Sequence, residues 1–320
     1  MPEKPYVIAL EEHYVDRKVA ETFTGRDATR APHIVAALED LVDARIKEMD
    51  AAGIDLQVLS HGAPAVQRLD DVDLAVKLAR QANDSLHEAV RAHPKRFAAF
   101  AMLPTADAKA AADELERAVT KLGFKGAMIH GLANGVFLDN KRFWPIFERA
   151  QALDVPIYLH PSAPHPDVVK AYYADYLEKW PTFQQSAWGF GVETGTLAIR
   201  LVLSGLFDAY PRTKIILGHL GEGIPFFLWR INQSLSRQGG SPTYFRDHFC
   251  AHFHITTSGF FSTPALQCCM TELGVDRIMF SVDYPFVANK PGVDWLLNLQ
   301  VNAEDLNKIA SGNARRLLKL

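Results

Sequence analysis

Short apolar runs recur along the whole chain, and most of them end in polar residues. Runs of this length, bounded by turn-forming residues, are typical of strands that are buried on both faces of a parallel sheet. We predict strands over residues 7–13, 56–61, 97–103, 126–131, 156–161, 214–219, 253–258 and 277–283.

Segments with helical spacing lie between these runs. We predict helices over residues 38–52, 71–93, 106–122, 140–153, 192–210, 224–238, 263–273 and 303–318. Regular alternation of strand and helix favours a closed (β/α)₈ TIM barrel over an open doubly wound sheet. A length of 320 residues suits one such domain over residues 1–320.

Two long loops are expected as insertions, one over residues 14–35 after the first strand and one over 162–185 after the fifth. Loops that follow barrel strands build the catalytic face, and the second is aromatic enough to supply an apolar slot for a flat ring. A third irregular stretch, 239–252, precedes the seventh strand and belongs on the opposite face. A cluster in it is as readily explained by a subunit contact or a core patch as by a functional role: Tyr244, Phe245, His248 and Phe249.

Composition narrows the partners. A net charge of −3 without a basic stripe argues against nucleic acid or an anionic membrane surface. No apolar run is long enough to span a bilayer, and the N-terminus lacks the features of a secretory signal, so the cytoplasm is the expected location. The cysteines, Cys250, Cys268 and Cys269, suggest no disulfide framework. Small molecules and copies of the same chain remain as partners.

The stretch Ala9-Leu10-Glu11-Glu12-His13-Tyr14 closes the first strand with three ionisable groups. Because side chains alternate along a strand, Glu11 and His13 point the same way and Glu12 points the other. Glu11 and His13 are therefore a candidate pair of metal ligands.

Three further groups close other strands: His160 the fifth, His219 the sixth and Asp283 the eighth. Each alone is more often a satisfied polar residue than a functional one. Together they converge with the first strand on one barrel mouth, where buried charges are costly unless a cation neutralises them. We predict one divalent metal ion, with Zn²⁺ or Mn²⁺ favoured and Mg²⁺ possible, and no organic cofactor. Lys125 precedes its strand, at the wrong end to bridge a second metal ion.

Other residues are candidates for the surrounding site. Glu222 follows His219 by three residues and could accept a hydrogen bond from its ring. The alternative is a glutamate at a helix N-terminus that only the helix dipole favours. Arg230 either steers an anionic substrate or pairs with a surface acid. His61 and His130 end the second and fourth strands and are candidates for substrate contact.

Nine sequence blocks, in order and over nearly the whole chain, carry a family resemblance: ALEEH, APAVQ, AND, PKRFAAFAMLP, LDVPIYLHP, KIILGHLGEG, FHITTSG, RIMFSVDYPF and NARRLLKL. The chain resembles the decarboxylase branch of the amidohydrolase superfamily. The γ-resorcylate and 2,3-dihydroxybenzoate decarboxylases are most similar; 5-carboxyvanillate and aminocarboxymuconate semialdehyde decarboxylases are more distant.

The resemblance implies roles for particular residues. Glu11, His13, His160 and Asp283 fall where the family holds one catalytic divalent ion, and His219 with Glu222 falls where a pair faces the substrate. The implied activity is reversible, non-oxidative decarboxylation of an ortho-hydroxybenzoate to the phenol and CO₂, by a homodimer or homotetramer. Glu-x-His at the first strand is the habit of benzoate decarboxylases, whereas hydrolases usually have His-x-His there.

The resemblance makes Asp283 the proton donor to the ring carbon that loses CO₂. A carboxylate that touches a cation has a lowered pKa and is a poor acid, so His219 and metal-bound water remain alternative donors. The chain departs from residues common in the family at His61, His130 and Asn232. The resemblance therefore does not determine which ring substituents the preferred substrate carries.

Two rival hypotheses remain. In a metal-dependent hydrolase of a lactone or amide, the metal would activate water and Asp283 would act as general base; Glu11 argues against it. A non-catalytic barrel would be expected to have lost metal ligands, and all are present.

Overall fold

The computed structural model describes residues 4–235 and 244–320. Within these residues nine β-strands pair in parallel and alternate with helices. The strands are β1 (Ile8–Tyr14), β2 (Leu56–His61), β3 (Phe97–Ala99), β4 (Ala101–Met102), β5 (Ala127–His130), β6 (Ile157–His160), β7 (Ile215–Leu217), β8 (Phe253–Thr256) and β9 (Ile278–Met279).

The helices of the described residues are α1 (Arg17–Ala20), α2 (Pro32–Glu39), α3 (Asp43–Ala52), α4 (Val72–Ala92), α5 (Ala108–Leu122), α6 (Trp144–Leu153), α7 (Pro166–Val168), α8 (Gly189–Leu203), α9 (Leu206–Ala209), α10 (His219–Glu222), α11 (Ile224–Leu235), α12 (Phe245–His252), α13 (Thr263–Leu273), α14 (Asn289–Leu297), α15 (Ala303–Asn307) and α16 (Asn313–Leu318). Shorter 3₁₀ turns are Gly25–Ala28, Lys141–Phe143, Ala174–Tyr176, Pro181–Gln184 and Val275–Arg277, and π-helical segments are Val169–Tyr173 and Lys308–Gly312. In this part of the chain no helix has the length and apolarity needed to cross a membrane.

The strands form two parallel sheets, β1-β2-β3 and β4 to β9 in chain order. The predicted third strand is interrupted at Phe100, whose backbone N–H donates to the carbonyl of Leu59 at 2.9 Å. The two ends of the strand order also meet, because the N–H of His13 donates to the carbonyl of Tyr284, after β9, at 2.7 Å. The α/β class with parallel strands is confirmed; the backbone pairing itself is two sheets rather than one closed ring.

Alternate strand residues pack into one interior cluster that spans both sheets. Its buried members come from the first strand to the last and include Ile8, Leu10, Val58, Phe100, Met128, Tyr158, Ile216 and Met279. Helix α16 adds Leu317 and Leu318 to this cluster. The other strand faces pack against the helices in a larger apolar core. Polar side chains are therefore displaced to the ends of the strands, where the site lies.

Three helices of eight or more residues, α2, α12 and α14, were not predicted, and α2 begins inside the expected loop 14–35. Helix α12 occupies most of the stretch 239–252, which we expected to be irregular, because Phe245 and Phe249 lie one turn apart and are both buried. Phe245 and Phe249 are thus core residues, whereas Tyr244 is exposed, and a subunit contact here stays a prediction. Helix α14 was missed because Pro291 and Gly292 read as a turn, yet proline is tolerated in a first helical turn.

Other predicted segments differ from the structure in smaller ways. The loops at 14–35 and 162–185 carry short helical turns, and their status as insertions stays a prediction. Residues 236–238 of the predicted helix and 239–243 of the predicted irregular stretch lie outside the described residues.

His254 on β8 makes stability depend on pH. Burial first, and then the nearby cation of Arg277, 3.3 Å from its Nε2, together lower the pKa of His254 to about 3. The unfolded chain takes up a proton below about pH 6.5 that the folded chain does not, so stability is lost as the pH falls from there toward the folded pKa. The loss is about 2 kcal/mol between about pH 7.5 and pH 5. Urea unfolding of a His254→Gln variant should show a pH dependence shallower by this amount, and an unchanged slope would contradict the assignment.

Candidate active site

Four side chains meet at the ends of the strands. Glu11 and His13 come from β1, His160 from β6, and Asp283 from the segment after β9. One ligand atom from each lies within 4.8 Å of the others. The Nε2 of His160 is 3.2 Å from Oε1 of Glu11, and the Nε2 of His13 is 3.3 Å from Oδ1 of Asp283. The predicted ligand set therefore converges in space.

The inward-facing atoms of this cluster lack hydrogen-bond partners. Among the described residues, Oε1 of Glu11, Nε2 of His13 and Oδ1 of Asp283 are buried and unpaired. Buried polar atoms are costly unless they are paired, and a cation at their meeting point would pair all three. Two imidazoles and two carboxylates form a donor set that suits a first-row divalent ion. The residues present thus fit a divalent metal ion.

The second carboxylate oxygen of Glu11 is held by hydroxyl groups. Its Oε2 accepts hydrogen bonds from Ser258 Oγ at 2.5 Å and from the hydroxyl of Tyr158, which also lies 2.6 Å from Thr256 Oγ1. Oε1 is thereby left free to bind a metal ion. A Cβ at Gly218 would lie 2.7 Å from Oε2, so any larger residue there would displace the carboxylate.

Imidazole groups set the charge of Glu11. Burial alone would raise the pKa of Glu11, but the rings of His219, His160 and His13 lower it below its ordinary value. Glu11 is therefore an ionised carboxylate at the base of the site.

Glu12, on the opposite face of β1, holds the segment that carries Asp283. Its Oε1 accepts the N–H of Val282 at 2.9 Å and its Oε2 the N–H of Tyr284 at 3.1 Å. Asp283 between them has φ +73°, a conformation that costs a non-glycine residue about 1 kcal/mol or more. Burial raises the pKa of Glu12 to about 8. Glu12, which points away from the candidate metal site, thus fixes the direction in which Asp283 points.

A buried arginine supports the same region. Arg45 is fully buried, donates to the carbonyl of His13 at 2.5 Å, and lies 5.0 Å from the ring centroid of Tyr284. Nothing in the helical pattern of α3 distinguished it from a surface arginine, so sequence reasoning missed it.

His219 and Glu222 are the two ends of α10, which is a single left-handed turn rather than an ordinary helix. The φ angles of residues 219–223 are all positive, from +45° at His219 to +79° at Gly221. Such a run is strained and is found where surrounding structure imposes it, commonly at functional sites. Glu222 is therefore not in the first turn of an ordinary helix, since α11 begins at Ile224.

The ring of His219 faces the four candidate metal ligands. The Nδ1–H of His219 donates to Glu222 Oε1 at 2.7 Å, and its Nε2 lies 3.8 Å from Glu11 Oε1 and 4.0 Å from Asp283 Oδ2. Burial would lower the pKa of His219, but the carboxylates of Glu222 and Glu11 outweigh it and raise the pKa well above its ordinary value. The arrangement can hold a proton beside Asp283.

Three further residues predicted to contact substrate are not among the clustered ligand candidates. His61 accepts the N–H of Asp16 at Nε2 and contacts the carbonyl of Gly62 through Nδ1, and both ring nitrogens of His130 also have partners. Neither ring offers a free nitrogen to a substrate. Arg230 is exposed on α11. Contact of these residues with substrate stays a prediction.

An unpredicted arginine lies at the edge of the cluster. The guanidinium of Arg30 is 5.5 Å from the ring centroid of Phe23 and 5.9 Å from that of Phe286, and it donates to the carbonyl of Ala63. The ring of Phe286 in turn lies 5.8 Å from that of His13. Arg30 thus places positive charge near the site, and its loop position gave no sequence signal.

The described residues also form a cavity of about 690 Å³. It is lined by residues that follow β5 and β6, including Leu132, Ser162 and Val169, and not by the metal-ligand candidates. In the aromatic stretch after β6, Tyr172 is 70% and Trp180 is 65% exposed, whereas Tyr173 is buried. The apolar slot for a flat ring stays a prediction.

Comparison with known proteins identifies the family. Residues 13–320 match the amidohydrolase family model. The chain is 42% identical to the γ-resorcylate decarboxylase of Polaromonas sp. strain JS666, over 98% of each chain. A solved structure of 2,6-dihydroxybenzoate decarboxylase complexed with 2,6-dihydroxybenzoate has a TM-score of 0.90 and 39% identity, over 99% of this chain and 100% of that one.

A second solved structure is similar in the same way. The dihydroxybenzoic acid decarboxylase from Polaromonas sp. JS666, with bound manganese and the inhibitor 2-nitroresorcinol, has a TM-score of 0.89 and 41% identity, over 99% of this chain and 98% of that one. These matches confirm the resemblance carried by the sequence blocks. The chain belongs to the amidohydrolase family.

Proposed function

We propose that the chain is a carboxy-lyase that decarboxylates an ortho-hydroxybenzoate without oxidation, with 2,6-dihydroxybenzoate as the first candidate substrate. The buried Glu11, His13, His160 and Asp283 cluster carries the proposal, because its unpaired atoms converge on one point in a chain that is about 40% identical to γ-resorcylate decarboxylases over nearly its whole length.

These four residues would hold one divalent ion. Manganese is favoured, because a similar decarboxylase has it bound; the donor set also suits Zn²⁺, and Mg²⁺ remains open. When bound, the ion supplies positive charge that orients the ortho oxygens of the substrate and draws electron density from the ring.

Residues of the chain would supply the proton that the reaction consumes. The reaction adds a proton to the ring carbon that bears the carboxylate, breaks the bond to the carboxylate carbon, and returns the electrons of that bond to the ring as CO₂ leaves. We assign delivery of the proton to Asp283, because its side chain is 16% exposed whereas Glu11 is fully buried. His219, 4.0 Å from Asp283, would restore the proton after turnover, with Glu222 fixing its ring.

The remaining architecture follows from the same proposal. We infer that β1 to β9 represent the eight strands of a (β/α)₈ barrel, with β3 and β4 as one interrupted strand, since side chains from the first and last strands share the interior cluster. The single domain over 1–320, the homodimer or homotetramer and the cytoplasmic location stay predictions.

A substrate panel tests this function. The Mn²⁺-loaded chain should convert 2,6-dihydroxybenzoate, 2,3-dihydroxybenzoate or salicylate to the phenol and CO₂, followed by the ultraviolet spectrum, and should leave 4-hydroxybenzoate unchanged because it lacks the ortho hydroxyl. With concentrated bicarbonate, the phenol product should be carboxylated at the ortho position. Hydrolysis of a lactone or amide without any phenol release would favour the rival hydrolase instead.

A further inference from the structure

Two histidines stand side by side at the ends of adjacent strands. His130 on β5 pairs in register with His160 on β6, and their ring centroids are 4.7 Å apart in an edge-on arrangement. The Nε2 of His160 faces Glu11 in the metal cluster, so its Nδ1 faces away. That Nδ1 lies 2.7 Å from the carbonyl of Pro161 and 3.0 Å from Nδ1 of His130.

The hydrogen-bond partners fix which nitrogen of His130 carries its proton. Nε2 of His130 is 2.8 Å from the carbonyl of His61, and a carbonyl only accepts, so Nε2 carries the hydrogen. In a neutral ring Nδ1 is then the acceptor, and the group facing it is Nδ1 of His160. His160 therefore donates its Nδ1–H, shared between the carbonyl of Pro161 and the ring of His130, and its Nε2 keeps a free lone pair.

The backbone of His130 is anchored as well. Gln67 Oε1 accepts the N–H of His130 at 2.5 Å, and Gln67 Nε2 donates to its carbonyl at 3.3 Å. The side chain is only 2% exposed, so water cannot readily replace the ring as the acceptor. Without His130, His160 would retain only the carbonyl of its own neighbour, and its ring would have room to turn.

We propose that His130 is a positioning residue that holds the imidazole of His160 with Nε2 unprotonated and directed at the metal site. The proposal rests on the metal site of the proposed function but not on the reaction. Partners of this kind, which orient a ligating histidine, commonly change metal affinity about 10- to 100-fold when removed.

Two substitutions separate the hydrogen bond from packing. In His130→Asn the amide oxygen lies where Nδ1 was and can still accept from His160. In His130→Gln the amide nitrogen lies where Nε2 was and can still donate to His61, but the acceptor toward His160 is gone. Mn²⁺ affinity is measured on each metal-free protein by titration calorimetry, without substrate, after thermal unfolding has shown that both variants fold.

We expect His130→Gln to bind Mn²⁺ at least about 10-fold more weakly than the unchanged chain, and His130→Asn to stay within a factor of about three. Unchanged affinity in His130→Gln, or equal losses in both variants, would overturn the proposal. If the variants do not fold, nitrogen-15 NMR of histidine-labelled, metal-free, unchanged protein decides: a hydrogen on Nδ1 of His160 and on Nε2 of His130 supports it, and the opposite tautomers overturn it.

These outcomes are distinct from failure of the proposed function. Loss of Mn²⁺ affinity in His130→Gln alone, in a chain that decarboxylates no hydroxybenzoate, would leave the positioning role intact and remove the reaction. Normal turnover of a hydroxybenzoate, with equal Mn²⁺ affinity in His130→Gln and His130→Asn, would support the reaction and remove the positioning role.

Discussion

An Asp283→Asn variant should lose both turnover and the incorporation of deuterium at the ring carbon that loses CO₂. Asparagine keeps the shape of the side chain but cannot donate a carboxylic proton. Removing a general acid costs about 10²- to 10⁴-fold in rate, so a loss of about 10³-fold in kcat is expected. The measurement is phenol release in D₂O, with the product analysed by NMR.

A matched control is Asp294→Asn. Asp294 lies on α14, is half exposed and pairs with Lys290, so the same chemical change there should leave kcat unchanged. Because Asp283 is also a metal ligand candidate, both variants are assayed with excess Mn²⁺ and their bound metal is counted. A metal-loaded Asp283→Asn variant with full activity would remove Asp283 from the mechanism.

Replacing His219 by asparagine should lower kcat by about 10²-fold or more, because in the proposed reaction its imidazole, 4.0 Å from Asp283, restores the proton after turnover. It is not one of the four clustered ligand candidates, so Mn²⁺ content should be retained. Steady-state kinetics together with metal analysis checks both statements.

Glu222→Gln provides the comparison for His219. The amide oxygen of glutamine can still accept the Nδ1–H of His219, so the ring keeps its orientation while the carboxylate charge is lost. A smaller loss, about 10-fold, is expected. Equal kcat in His219→Asn and the unchanged chain would contradict a role for this pair, and the proton would then have to be restored from elsewhere.

The ligand cluster could be predicted from the sequence because two simple rules determine it. Alternation along β1 puts Glu11 and His13 on one face, and parallel strands bring their carboxyl ends to one edge, where His160 and Asp283 also lie. The hydroxyl groups around Glu11 obey the same rule only in part. Tyr158 lies two residues before His160 on β6, so its face was available to sequence reasoning, whereas Ser258 follows the end of β8 with φ +32° and was not.

Other features could not be read from the pattern because they depend on where distant segments pack. Glu12 was expected only to point away, and its bonds on both sides of Asp283 join positions about 270 residues apart. Arg30 lies on a loop, where no periodicity predicts which side chains meet. His130 was expected at the strand end, but its partner on the neighbouring strand determines that it faces His160.

We have proposed that one metal ion held by Glu11, His13, His160 and Asp283 is required for decarboxylation. Measuring turnover as a function of the metal bound per chain tests this requirement. The chain is stripped with a chelator, Mn²⁺ is returned in steps, and phenol formation from the best ortho-hydroxybenzoate is measured beside the metal bound per chain. We predict no turnover without metal and recovery in proportion to metal bound, up to one ion per chain. Turnover that survives complete removal of metal would contradict the account.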